Sequence, residues 1–400
     1  MRWQRGRVGL LGLVAATLGL NGVVAADVST ERSGSILAFP KVIADGDRDT
    51  IIQISNTSNS VVRAHCFYVN GALTNPNLPR SPLNPPLWQE VDFDILLTKQ
   101  QPTHWRVGTG RPVNPLDTAC GPGIVNCVNA GFDPGLVPPV IPGFTGELKC
   151  VEVDDSGAPL SGNHLKGEAT LVTTGSLTVD GTAVTPAATD ISKYNGLAIL
   201  GTENNGDGTL VLGAGQCVGE GGSTGQVCSA DEDCGDAGPC APEYNACPQT
   251  WILNHLADAA PNIAIESASA VHTSLTVVPC TENFETQEPT RVTLQFVTFN
   301  EFESLFSVST TVECWGDFDL GDLAPALTFA GQQGNSLPLG TMYLQTRIRS
   351  AGGTPFGVLA VAEEAHLRGS NVATAAVNLH VAGERSTPDI ITIPPDQLTP

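Results

Sequence analysis

The chain has 400 residues, a formal net charge of −22 and only 15% charged residues. The acidic balance repels phosphate backbones and excludes nucleic acid as a partner, and the low charge density excludes a disordered acidic tail. Gly, Pro, Thr and Val are plentiful and long Ala/Glu/Lys/Leu runs are missing, which is the composition of many short strands and tight turns.

The first residues set an address. Arg2, Arg5 and Arg7 precede an uncharged apolar run from Val8 to Leu20, followed by Val23-Val24-Ala25-Ala26. This is the three-part pattern of a secretory signal peptide over residues 1–26, and its apolar run is too short for a membrane span. No later stretch approaches spanning length, so no transmembrane anchor is expected. The mature protein is expected to be secreted, at the cell surface or in a periplasm. Losing three arginines and no acids takes the formal charge from −22 to −25.

Period-two alternation marks the strands. Gly34 to Val42 opens the set, and Ala44 to Asp49 is a turn. Thr50 to Asn70 reads as a hairpin, with Asn56 to Ser60 as its turn. Its second arm points Val62, Ala64, Cys66 and Tyr68 inward, and Arg63 and His65 outward. Trp88 to Thr98 alternates again, Gln100 to Trp105 reads as a bend, and Arg111 to Pro142 is a Pro/Gly-rich loop. A boundary near Gly143 divides residues 27–143, an N-terminal β-sandwich, from a second β-rich domain over residues 144–400. Further strands are expected at Glu147–Val153, Glu168–Val179, Gly196–Gly201, Thr209–Leu212, Thr290–Phe299, Ser307–Trp315, Thr341–Ile348, Phe356–Val361 and Val372–Val381. Trp251 to Ala259 reads as the one short helix. The expected fold is all-β, as one or two immunoglobulin-like β-sandwiches with long Pro/Gly-rich loops.

Eleven cysteines are disulfide candidates in an oxidising compartment: Cys66, Cys120, Cys127, Cys150, Cys217, Cys228, Cys234, Cys240, Cys247, Cys280 and Cys314. An odd number leaves at least one without an intrachain bridge. Residues 217–247 hold five of them with no Ile or Leu, and read as an insertion held by crosslinks. Four of its cysteines are expected to pair among themselves, and Cys120 with Cys127. Cys66, Cys150 and Cys314 share an inward phase. A Cys66–Cys150 or Cys66–Cys314 bridge would then join sheet to sheet.

Two resemblances can be stated. GSILAFPKV, DTIIQISNTSNSVVRAHCFYVNG, DFDILLTKQQPTHW and, later, NEFESLFSVSTTVECW resemble uncharacterised secreted bacterial proteins with an immunoglobulin-like sandwich. The Cys228, Cys234, Cys240 spacing, C-x(5)-C-x(5)-C, resembles short cysteine-rich repeats of myxobacterial surface proteins. The first implies a scaffold without an assigned activity. The second implies local disulfides and an extracellular setting.

Candidate chemistry is sparse. Asp45, Asp47 and Asp49 have the alternate-carboxylate spacing of a calcium loop, but Thr50 and Asn56 stand where an EF-hand needs Gly and Glu. Zinc is set aside, because the five clustered cysteines lack C-x-x-C knuckles. There is no G-x-S-x-G elbow and no H-E-x-x-H frame. His255 is the most site-like histidine, and His65 reads as a surface one. Asp92/Asp94, Glu301/Glu303 and Asp317/Asp319 each share a strand face, as an acidic composition produces on its own. Trp88, Trp105 and Tyr68 could form a sugar platform or pack in a core. Asn56-Thr57-Ser58 is a glycosylation sequon in a turn. The leading expectation is a structural or adhesive extracellular protein that self-associates or meets a surface partner. The alternative is a carbohydrate- or ligand-binding protein, and a secreted hydrolase ranks last.

Overall fold

The structure is a computed structural model that describes residues 28–394 apart from 77, 79–80, 82, 114–132, 180–181, 204–206, 261–268, 325–326, 330–341, 353–355, 370, 383–385 and 387–388. The expected signal peptide, Cys120 and Cys127 lie outside the described residues. Within them the chain is nearly all strand, and the α-helical segments, Asp231–Cys234 and Leu320–Leu323, are single turns. The all-β expectation therefore holds.

The first sheet runs in the order Asp190–Asn195, Leu165–Thr173, Arg48–Asn56, Ile36–Ala44, Phe144–Val153, Val62–Asn70, Gln89–Leu97. Strands Ile36–Ala44 and Arg48–Asn56 are paired only at Ala44 and Asp49, so the sheet turns a corner there. Its two halves face each other across a core that includes Ile52, Ile54, Cys66, Tyr68, Phe93, Ile95, Trp105 and Leu148.

This arrangement corrects the expected hairpin. Arg48–Asn56 pairs with Leu165–Thr173 and Pro102–Arg106, whereas Val62–Asn70 pairs with Gln89–Leu97 and Phe144–Val153. The two arms lie in opposite halves and meet through side chains, so the polar turn forms an arch. Asn56 holds the arch. Its Nδ2 donates to the carbonyls of Ser60, Leu97 and Thr98, which buries the amide. Most of the expected bend at Gln100 to Trp105 is strand as well, Pro102–Arg106, with Thr103 and Trp105 buried between exposed neighbours.

The second pair of sheets comprises a five-stranded and a four-stranded layer. The five-stranded order is Leu305–Glu313, Arg291–Asn300, Tyr343–Ala351, Thr250–Leu256, His380–Val381. The four-stranded order is Gly316–Asp319, Ser269–Pro279, Val358–Arg368, Asn371–Asn378. Trp251, Leu253, Leu275, Val277, Leu294, Phe296, Ile348 and Ala360 are among the residues that fill the core between them.

The expected helix at Trp251–Ala259 is thus a strand, Thr250–Leu256. Trp251, Leu253 and His255 are buried, and Ile252 and Asn254 are not. Ile252, Leu253 and Leu256 have the spacing of a helical stripe, but pairing with Tyr343–Ala351 makes the segment a strand. Ser269–Pro279, paired along its whole length with Val358–Arg368, was not anticipated.

The expected boundary at Gly143 fails on topology. Phe144–Val153 fills the place between Ile36–Ala44 and Val62–Asn70, and strands as late as Leu197–Ile199 join the first sheet. Moreover, Ile36–Ala44 and Val62–Asn70 are buried at every position. One face looks into the first core. The other contributes Ile36, Ala38, Phe67, Val69, Val151 and Val153 to the core of the second pair. Phe67 stacks on Phe284 with ring centroids 4.2 Å apart. A middle layer wetted on neither face makes the two halves one packed body.

Disulfides complete the frame. Cys217–Cys234 and Cys228–Cys240 hold residues 215–242, whose small core consists of those cystines and Ala237. Cys247–Cys280 ties the end of the insertion to the rest of the chain. Cys66–Cys150 joins neighbouring strands of one sheet, which corrects the expected sheet-to-sheet bridge. Cys314 is a buried thiol in the other core, so the three cysteines share an inward phase but not a common interior.

Candidate ligand-binding site

Most of the residues singled out in the sequence serve the fold. Asp45 Oδ1 accepts the amides of Asp47 and Arg48, at 3.0 and 2.7 Å. Asp49 accepts the amides of Thr50 and Gly108 and pairs with Arg106. Asp45 thus closes a tight turn, and Asp49 ties its strand to residues 106–108. Among the described residues, these three carboxylates do not form a group converging within 4.8 Å. Trp88, Trp105 and Tyr68 are all buried, and the Trp105 indole donates to Tyr68 Oη at 2.6 Å, so the sugar-platform alternative gives way to core packing.

His65 was read as a surface histidine and is instead buried, because the outside of the first sheet is the inside of the next layer. Its Nδ1 lies 2.8 Å from Asp94 Oδ1, and its Nε2 lies 3.5 Å from Asp92 Oδ2, an ionic contact. Burial pulls the imidazolium pKa down, but Asp92 and Asp94 outweigh it and raise it to about 9. Burial and the charge of Asp92 push the neighbouring Glu90 up to about 7.

Two ion networks join the halves. Lys41 and Arg48, on the first sheet, meet Glu363 on the second pair; Arg48 Nη2 donates to Glu363 Oε1 at 2.5 Å, and Lys41 also reaches Asp317 at 3.2 Å. Burial alone would raise the Glu363 carboxyl, but the Lys41 and Arg48 charges hold it down at about 2. Deeper in, Lys149 lies between Glu147, at 2.8 Å, and Glu282, at 2.5 Å. All three side chains are almost wholly sealed from solvent.

His255 also belongs to the interior. Its Nδ1 sits 2.8 Å from the Leu256 carbonyl, which accepts, so that nitrogen carries the proton. Nε2 then accepts from Thr346 Oγ1 at 2.8 Å, and Thr346 meets Thr298. Burial lowers the His255 pKa to about 4, and the ring is neutral at ordinary pH.

Above this network lies a recess of about 660 Å³ at one end of the second pair of sheets. Asn254, Phe299, Asn300, Glu301, Tyr343 and Gln345 line it from the five-stranded sheet, and Glu364 and His366 from the opposite layer. The turn after Asn300 is braced. Asn300 Oδ1 accepts the amides of Phe302 and Ser304, and Glu301 accepts those of Met342 and Tyr343. Glu303 sits at φ +62°, a left-handed conformation unusual for Glu. Phe302 and Leu305, in and after this turn, and Tyr343, which lines the recess, are more than half exposed. Exposed apolar side chains gathered beside a recess mark a binding surface more readily than scattered ones. Asn300, Phe302 and Tyr343 did not stand out in the sequence. Their only signal there was the Glu301/Glu303 pair, which the structure divides: Glu301 is an amide acceptor and Glu303 the strained tip.

No family model matches the chain, and no curated protein matches it. Among solved structures, a protein of Thermotoga maritima, titled Thermotoga maritima 1070, aligns with 42% of this chain and 98% of its own, at 10% identity and a TM-score of 0.23. No functional argument rests on likeness at that level.

Proposed function

We propose that the chain is a secreted or cell-surface structural or adhesive protein, without catalytic activity, built on immunoglobulin-like sandwiches. The observation that carries this reading is the middle layer buried on both faces. It converts two sandwiches into one stiff element, pinned by Lys41, Arg48 and Lys149, and four cystines among the described residues brace its parts. Two strongly shifted carboxyls, Glu363 and Glu282, sit in the ion networks that join the halves, which suits a scaffold. Leu305–Glu313 and Gln89–Leu97 each stand outermost in their sheets among the described residues, and such edges accept strands from other chains. The test is fractionation of producing cells followed by light scattering and negative-stain imaging of the purified protein. Export with assembly into oligomers or filaments is expected; an intracellular monomer would overturn the reading.

The recess favours a second reading, an extracellular ligand-binding protein, because its braced turn displays side chains that packing does not require.

A further inference from the structure

We infer that the recess beside Tyr343 is a binding site for a neutral saccharide chain; this rests on the ligand-binding reading and names the ligand class for it. Two kinds of group converge there. Tyr343, which lines the recess and is 53% exposed, offers ring surface to an apolar partner. Asn254, Gln345, Glu301, Glu364 and His366 add polar groups to the lining, with Gln345 Nε2 donating to Asn254 Oδ1 at 3.1 Å and His366 Nε2 3.5 Å from Glu364 Oε2. A pyranose presents that same combination: a C–H face that stacks on an aromatic ring and hydroxyls that both donate and accept.

Charge selects among saccharides. Two carboxylates line the recess and no lysine or arginine does, among the described residues. Arg347 does not line the recess; it lies over the Phe299 ring, 5.7 Å from its centroid. Uronates and sulfated chains would meet like charge at the recess and across the whole molecule, at a net −22. Neutral sugars meet none.

Rigidity supports the assignment. The four amide hydrogen bonds accepted by Asn300 and Glu301 fix the turn and the start of the Tyr343 strand before any ligand arrives. A weakly interacting sugar benefits from such preorganisation, because little ordering remains to be done on binding.

The test is affinity electrophoresis of the full mature protein through gels containing neutral β-glucan, galactomannan or soluble chitin derivative, with alginate as the anionic comparison. Retardation by at least one neutral polysaccharide is expected. Tyr343→Ala should weaken it at least about tenfold without lowering the melting temperature, and Glu364→Gln should weaken it less. Retardation that is equal in alginate, or that survives Tyr343→Ala, would overturn the inference. A parallel thermal-shift screen with amines and short peptides separates the two levels. Shifts there that depend on Tyr343, with no response to sugars, would sink the saccharide class but keep the ligand-binding reading. Silence in both screens would sink both.

Discussion

Cys66 and Cys150 stand directly opposite each other on neighbouring antiparallel strands, their Cα atoms 4.0 Å apart and their sulfurs bonded. The bond fixes the register of one ladder and closes a loop of sequence separation 84. In the chain-entropy account such a loop contributes roughly 4–5 kcal/mol. The Cys66→Ala/Cys150→Ala double variant should therefore lose up to that much stability. Urea unfolding checks it, and an unchanged midpoint would show the bond to be thermodynamically idle.

His65 makes stability depend on alkaline pH. Its folded-state pKa, about 9, exceeds the ordinary 6.5, so the folded chain holds the proton more tightly than the unfolded one. The stabilisation is full below pH 6.5 and is lost as pH rises through 9. The difference corresponds to about 3 kcal/mol. Glu90, raised to about 7, acts with the same sign between its ordinary 4.5 and 7. Unfolding free energies at pH 6, 8 and 9.5 should fall in that order, and His65→Asn should flatten the slope above pH 6.5.

Glu363 sets the opposite limit. Its folded-state pKa of about 2 lies below the ordinary 4.5, so its stabilisation is present above pH 4.5 and lost as pH falls through 2. Glu363→Gln leaves Arg48 facing a neutral group and Lys41 with Asp317. A loss of about 3–5 kcal/mol at pH 7 is expected from calorimetry, since a buried cation is stranded.

Lys149→Met should be as damaging, about 3–5 kcal/mol, because it leaves Glu147 and Glu282 facing each other inside the protein. Replacing all three, with Glu147→Gln and Glu282→Gln added, should recover much of the loss. A triple variant no better than the single one would show that the charges themselves are needed.

Asn56 should carry no glycan even in a host that modifies such sequons. Its amide nitrogen is committed to three backbone carbonyls and is buried. Intact-mass measurement after eukaryotic expression tests this directly. Asn56→Ala should instead destabilise the arch, by about 1–3 kcal/mol for the acceptors left unpaired.

Strand identity was legible in several strands with one wet face, though not in Pro102–Arg106 or Thr250–Leu256. The alternation of Phe93, Ile95 and Leu97 against Asp92 and Asp94, and of Val292, Leu294 and Phe296, appears in the structure in the same phase, whereas Val91, expected inward, is exposed. Pairing order was not legible, because alternation says which way a side chain points and nothing about which strand lies beside it. That is why an arch resembled a hairpin. His65 was misplaced for a related reason: polar residues opposite an apolar stripe normally face water, and here they face Asp92, Asp94 and a further layer. The recess was invisible in the sequence, since Asn254, Tyr343 and Glu364 come from three separated strands.

The place of Phe144–Val153 between Ile36–Ala44 and Val62–Asn70 also constrains the order in which the molecule can be made. The first hundred residues emerging from a ribosome hold both flanking strands but not the one that separates them. Leu197–Ile199, which pairs beside Ile36–Ala38, comes later still. Early strands must therefore wait with open edges, and long-range closure of this kind is slow. A chain so arranged cannot close its first sheet until about its first two hundred residues are available, and its middle layer stays open on one face until the second pair of sheets follows.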